Sequence, residues 1–264
     1  GKKIIMLEPR RLAAKTVAMR MADMLGEKAG ETVGYRIRFE QKISKQTRLE
    51  VVTEGILTRL IQEDNALEDV GLIIFDEFHE RSIHADLAMA FSKEVQGVLR
   101  EDLRIIVMSA TINMPELAGR LAAVEVESKG RMFPVDVHYV GDADWELLPE
   151  LVHKTVKDAV KKHPGDALVF LPGQREITQT LEKLERSLPD FKVVPLYGQF
   201  PAAKQFSAIM PDKGGKRKIV LATNIAETSL TIEGIKIVVD SGFERVSKFN
   251  PKSGLSRLET AMIS

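Results

Sequence analysis

The 264-residue chain has no cysteine, one tryptophan and three tyrosines, and its 38 Lys and Arg residues balance 38 Asp and Glu. Without cysteine there is no disulfide framework, thiolate zinc site or cysteine nucleophile. The same absence fits a reducing, cytoplasmic setting. A net charge of zero gives no global attraction to nucleic acid, so any such contact must come from a local patch. The longest apolar runs are four or five residues, far below the ~20 of a membrane helix, so no membrane partner is expected. Hydrophobic content of 44% and charged content of 29% place the chain among globular proteins. At roughly 150 residues per domain, the length suggests two domains.

What the chain does have is a recurring strand pattern. Continuous apolar runs occur at Ile4-Leu7, Val51-Val52, Leu72-Phe75, Ile105-Met108, Leu168-Leu171, Ile219-Leu221 and Ile237-Val239. Unbroken rather than alternating runs predict parallel strands buried on both faces. Between them lie helical stretches. Ala13, Val17, Met21 and Met24 recur at helical spacing over Leu12 to Leu25, and Leu148 to Ala159 repeats the pattern before Pro164-Gly165. Alternating strands and helices predict an α/β fold. Polar or glycine-bearing residues follow nearly every run, at the carboxyl edge where open α/β sheets bind ligands. Gly130 to Glu146 lacks a helical period and is the expected junction.

The densest polar cluster follows Phe75: Asp76, Glu77, Phe78, His79, Glu80 and Arg81. Two carboxylates at the tip of a buried strand need a compensating cation or hydrogen bonds. Mg²⁺ shared with phosphate oxygens supplies one, Asp76 holding the ion and Glu77 activating a water against a γ-phosphate. Zinc at Asp76, His79 and His84 lacks the helical spacing of known zinc motifs.

Asp76-Glu77-Phe78-His79 resembles the Asp-Glu-Ala-His box of superfamily 2 helicases, and Ser109-Ala110-Thr111 their third motif. Ala222-Thr-Asn-Ile-Ala-Glu-Thr-Ser-Leu-Thr-Ile232 is similar to the fifth motif of the DEAH group nearly letter for letter. Leu7-Glu-Pro-Arg-Arg-Leu-Ala-Ala14, Thr53-Glu-Gly55, Phe170-Leu-Pro-Gly173 and Leu196-Tyr-Gly198 resemble the intervening motifs, in order. Phe78 with Glu80-Arg81-Ser82 resembles one bacterial branch of that group.

The resemblance implies two RecA-like domains with parallel sheets flanked by helices: 1–130 an ATP-binding domain, 131–146 a linker, and 147–264 a helicase C-terminal domain. It implies an ATP-dependent RNA helicase, with RNA, single-stranded or partly duplex, preferred over DNA on resemblance alone. Asp76 and Glu77 handle Mg²⁺ and the hydrolytic water. Ser109 and Thr111 with His79 couple nucleotide state to domain closure. Arg10, Arg11 and Thr53 contact backbone phosphates from the first domain; Gly173, Thr223 and Asn224 do so from the second. Thr228 and Glu233 lie near the nucleotide. Arg20 stacks on the base, and Ile209 stands where relatives place an aromatic, so nucleoside triphosphates other than ATP are admitted. Phe249 to Leu258 forms a hairpin that helps to part the duplex.

Two motifs of the family are missing. No Gly-x-x-x-x-Gly-Lys-[Ser/Thr] phosphate loop occurs, Lys213-Gly-Gly-Lys216 having the wrong spacing. Nor is there a Gln-Arg-x-Gly-Arg-x-Gly-Arg segment. The resemblance places the first just before Gly1 and the second just after Ser264, so both domains are expected to be incomplete. The first sheet then has a gap or an exposed apolar edge, and residues 1–264 alone are expected to be inactive. Two other functions remain open: a translocase or ribonucleoprotein remodeller that does not unwind, and a catalytically inactive nucleic-acid scaffold.

Overall fold

In the computed structural model, residues 1–110, 114–128, 130, 133–141, 144–212, 214–227 and 232–263 are described, apart from the side chains of 114, 202 and 203. They divide into two units, Gly1–Pro134 and Val135–Ser264.

The strands of the first unit are β1 (Lys3–Glu8), β2 (Val33–Ile37), β3 (Glu40–Lys42), β4 (Leu49–Thr53), β5 (Val70–Phe75) and β6 (Arg104–Val107). They form one sheet in the order β3-β2-β4-β1-β5-β6, parallel except for the β2–β3 pair. Its helices are α1 (Arg11–Met24), α2 (Glu54–Glu63), α3 (Ile83–Glu94) and α4 (Met114–Leu121). Alternate residues of β1 serve opposite layers, as the pleat requires. Ile5 and Leu7 pack with Leu57 and Ile61 of α2 and Met89 of α3, whereas Met6 packs with α1 and Tyr35.

One helix face differs in part from the sequence expectation. The buried residues of α1 are Leu12, Ala13, Ala14, Ala18 and Ala22; of the expected stripe Ala13 is buried, Val17 and Met21 pack partly buried against the core, and Met24 is 77% exposed. Small side chains let the helix approach the sheet closely, so packing rather than hydrophobicity chose the face. At the far edge, β6 leaves Ile106 45% exposed, an apolar strand edge.

The second unit contains β7 (Asp166–Phe170), β8 (Lys192–Leu196), β9 (Lys218–Ala222) and β10 (Ile235–Asp240) in an all-parallel sheet ordered β10-β7-β9-β8. Helices α5 (Leu148–Lys162), α6 (Gln174–Ser187) and α7 (Ala202–Ile209) accompany it. Val152, Val156 and Val160 of α5 bury their stripe against Val169, Leu221 and Val239. β11 (Phe243–Asn250) and β12 (Leu255–Met262) pair antiparallel, a hairpin longer at both ends than the expected one.

An arginine in each unit fastens loop carbonyls. Arg100 donates to the carbonyl oxygens of Ala66, Leu67 and Val70 at 2.7–3.0 Å. Arg217 does the same for Val160, His163 and Gly165 at 2.8–2.9 Å. Among the described residues, no helix is long and apolar enough to cross a membrane.

Candidate functional site

Parallel pairing fixes the first unit's site. The register Leu7↔Phe75 sets the end of β1 beside the end of β5, and the Asp76 amide donates to the Leu7 carbonyl at 3.0 Å. On the other side the Phe78 amide donates to the Met108 carbonyl at 3.1 Å. The ends of β1, β5 and β6 are thereby held together by backbone hydrogen bonds. Side chains from Glu8, Arg10, Asp76, Glu77, His79, Glu80 and Ser109 belong to these three strand ends.

Glu77 has φ 49° and ψ 37°, the left-handed region that non-glycine residues rarely occupy. This bend starts the short 3₁₀ turn Phe78–Glu80. Phe78 anchors the turn, buried with its ring edge-on to Phe75 at 6.1 Å between centroids. Outside the core the polar groups form a chain. Glu77 Oε2 lies 3.3 Å from His79 Nε2, and His79 Nδ1 lies 3.5 Å from Ser109 Oγ. Asp76 Oδ1 accepts the Glu77 amide at 2.8 Å, which orients its carboxylate.

Glu8 was not singled out by its sequence position. It is 1% exposed, and its Oε2 is buried without a hydrogen-bond partner. Burial pushes its carboxyl up to about 9, and repulsion from Asp76, Glu77 and Glu80 with a hydrogen bond to Asp76 pushes the same way. A neutral Glu8 donates that hydrogen bond to the Asp76 carboxylate. The only signal for it was its place at a strand end, since its acidic neighbours are about 70 residues away in sequence.

Arg10 precedes α1 in extended conformation, and its Nε donates to Glu80 Oε2 at 3.2 Å. Arg11 is exposed on the first turn of α1. Arg20 is also exposed, but nine residues further along that helix, ~14 Å at 1.5 Å per residue. Thr53 directly precedes α2, and the next residue, Glu54, accepts the Ser82 hydroxyl at 2.6 Å. Ser82 also caps α3, so α2 and the segment after the 3₁₀ turn are tied. Thr111 lies outside the described residues.

In the second unit the expected residues again stand at strand ends. Gly173, after β7, is buried and precedes α6. A Cβ there would come within 2.9–3.0 Å of the Arg245 guanidinium and of Glu176 Oε2, so glycine permits Arg245 to lie across this backbone. Thr223 is half-buried after β9, its amide donating to the Leu196 carbonyl at 3.2 Å, and Asn224 is exposed beside it. A cavity of about 230 Å³ opens here, lined by Pro172, Asn224, Asp240, Phe243 and Arg245 among others. A larger one, about 420 Å³, lies in the first unit between α2 and the β2–β3 hairpin and includes none of the expected site residues. Glu233 is exposed, Ile209 is buried, and Thr228 lies outside the described residues.

An Mg²⁺ site fits the residues present. Asp76 and Glu77 are adjacent, half-buried carboxylates at a strand tip, and Glu8 behind them is held neutral. One or two carboxylates are the usual protein share of an Mg²⁺ shell completed by water and phosphate.

Two domain families account for most of the chain. Residues 1–118 match the DEAD/DEAH box helicase family, and residues 146–258 match the helicase conserved C-terminal domain. The chain belongs to the DEAD/DEAH box helicases, and its two sheets are the RecA-like folds of that class. It is 50% identical over 264 residues to the ATP-dependent RNA helicase HrpB of Escherichia coli, covering 99% of this chain and 33% of that protein. The crystal structure of E. coli DEAH/RHA helicase HrpB superposes with a TM-score of 0.90 at 49% identity, over 100% of this chain and 34% of that one. The probable ATP-dependent RNA helicase DHR2 of Saccharomyces cerevisiae is 38% identical, over 99% of this chain and 37% of its own length. The chain thus spans about a third of the length of these relatives.

Proposed function

We propose that the whole protein is a cytoplasmic ATP-dependent RNA helicase that couples nucleotide hydrolysis to movement along or unwinding of RNA. The observation that carries this reading is the chain Glu77–His79–Ser109, with spacings of 3.3 and 3.5 Å, joining the ends of β5 and β6. A hydrolytic carboxylate linked through an imidazole to a neighbouring strand can pass a change at the nucleotide to the rest of the domain. Residues 131–146 serve as the linker between an ATP-binding domain (1–130) and a C-terminal domain (147–264).

Bound Mg²⁺ and ATP supply charge neutralisation and the transferable phosphoryl group. Asp76 and Glu77 hold the ion, and Glu77 accepts the proton of the attacking water. Glu8 keeps the Asp76 carboxylate oriented. His79, Ser109 and Thr111 relay nucleotide state, while Thr228 and Glu233 border the nucleotide. Arg20 faces the base from one side only, so other nucleoside triphosphates serve as well. Arg10, Arg11 and Thr53, with Gly173, Thr223 and Asn224, grip phosphates without reading sequence. The exposed β11–β12 hairpin parts the duplex.

The test is nucleotide hydrolysis and strand displacement by the full-length protein on a partial RNA duplex. Hydrolysis stimulated by RNA, with displacement, is expected. Stimulated hydrolysis without displacement would make it a translocase or remodeller, and RNA binding without hydrolysis would make it a scaffold. Equal use of a DNA duplex would remove the preference for RNA.

A further inference from the structure

Arg10 and Glu80 form an ion pair at 3.2 Å, with side chains only 26% and 17% exposed. The pair joins two parts of the site with different tasks. Arg10 stands at the start of α1, where the proposed function puts an RNA phosphate. Glu80 is the last residue of the turn Phe78–Glu80, and its amide donates to the Glu77 carbonyl at 2.9 Å. His79, its immediate neighbour, contacts Glu77 on one side and Ser109 on the other. Any displacement of Glu80 is therefore felt at the hydrolytic carboxylate through one peptide turn.

Charge makes the pair exchangeable. Asp76, Glu77 and Glu80 bring three carboxylates to the few residues that follow β5, and the Arg10 guanidinium lies 3.2 Å from one of them. A phosphate oxygen is the same kind of acceptor as a carboxylate oxygen and prefers the same planar fork. An arriving RNA phosphate and Glu80 thus seek one cation.

We propose that Glu80 is the internal competitor of RNA for Arg10, and that this exchange of partners releases the Glu77–His79 turn when RNA binds. Without RNA, Glu80 holds the turn against α1 and restrains hydrolysis. With RNA, Arg10 turns to the phosphate and the restraint is lifted. The inference rests on the functional reading above, because it needs both an RNA phosphate at Arg10 and a hydrolytic Glu77.

Two variants of the full-length protein separate this from a simple brace: Glu80→Gln, which keeps shape and removes charge, and Arg10→Gln. RNA affinity is read by fluorescence anisotropy with a labelled single strand, and hydrolysis is read with and without RNA. Glu80→Gln is expected to bind RNA at least about fivefold more tightly, the lower range for coupled sites, and to hydrolyse faster without RNA. Arg10→Gln is expected to bind RNA more weakly, yet also to hydrolyse faster without it. Opposite signs on RNA with the same sign on RNA-free hydrolysis are the signature of a competitor. Unchanged or weaker RNA binding by Glu80→Gln, or a joint loss of RNA-free hydrolysis in both variants, would overturn the proposal. A wild-type protein with no RNA-stimulated hydrolysis would instead overturn the functional reading.

Discussion

Glu8→Gln should change how stability depends on pH more than it changes stability itself. Glu8 is 1% exposed, faces Asp76, Glu77 and Glu80, and has its carboxyl raised from 4.5 to about 9, mainly by burial. An acid whose folded pKa is raised binds more protons folded than unfolded between those two values. Its contribution is therefore fully present below pH 4.5 and is lost as the pH rises towards 9. Each unit in that window is worth about 1.4 kcal/mol at most, so three units, pH 5.5 to 8.5, remove ~4 kcal/mol. The glutamine amide still donates to Asp76 but does not titrate. Urea unfolding of both proteins, followed by circular dichroism across this range, gives the difference directly. Other groups titrate in both proteins and largely cancel. The variant should gain on the wild type steadily with pH and overtake it at the alkaline end. A difference constant to within about 0.5 kcal/mol would show that Glu8 is ionised in the folded protein and that its environment has been misjudged.

Three further perturbations address the frame and the RNA grip. Gly34→Ala would push a methyl group against the Lys42 carbonyl oxygen, with Thr47 Cγ2 at 3.1 Å, and should lower stability by ~1–3 kcal/mol in a thermal melt. Lys218→Met should cost a similar ~1–3 kcal/mol in urea unfolding. The buried ammonium donates to the carbonyls of Ala208, Ile209 and Met210 at 3.1, 3.4 and 2.8 Å, and the thioether cannot. Arg11→Ala in the full-length protein should weaken RNA binding evenly across sequences and flatten its salt dependence by about one unit of slope. Anisotropy titrations at several salt concentrations check this, and a sequence-selective loss would contradict it.

The strands that carry the site were legible because burial leaves a continuous apolar run; burial on both faces holds for Ile219-Leu221, whereas Leu72 and Ile74 of β5 are only partly buried and Val238 of β10 is 60% exposed. The short strands β2 and β3 escaped notice. Val33–Ile37 contains a glycine and a buried tyrosine whose hydroxyl is satisfied by Glu40 at 2.6 Å, a pairing that pattern alone does not show. The buried face of α1 was legible only in part: Ala13, Val17 and Met21 pack inward as expected, but Ala14, Ala18 and Ala22, which score weakly as hydrophobes, are buried too, and Met24 is not. Motif residues such as Asp76, Glu77, His79 and Ser109 were readable as types in an order. Their company was not. Glu8 meets Asp76, and Arg10 meets Glu80, only because β1 lies beside β5 in the sheet. The left-handed bend at Glu77 is likewise set by the turn's surroundings rather than by its residue type.

The central claim is that Glu77 activates water for RNA-coupled nucleotide hydrolysis. Steady-state ATP hydrolysis by the full-length protein and its Glu77→Gln variant, at saturating single-stranded RNA, tests it most directly. The variant should bind nucleotide as the wild type does and hydrolyse it about 10²–10⁴ times more slowly, the range for loss of a general base. A variant that retains more than half of the wild-type rate would contradict the account.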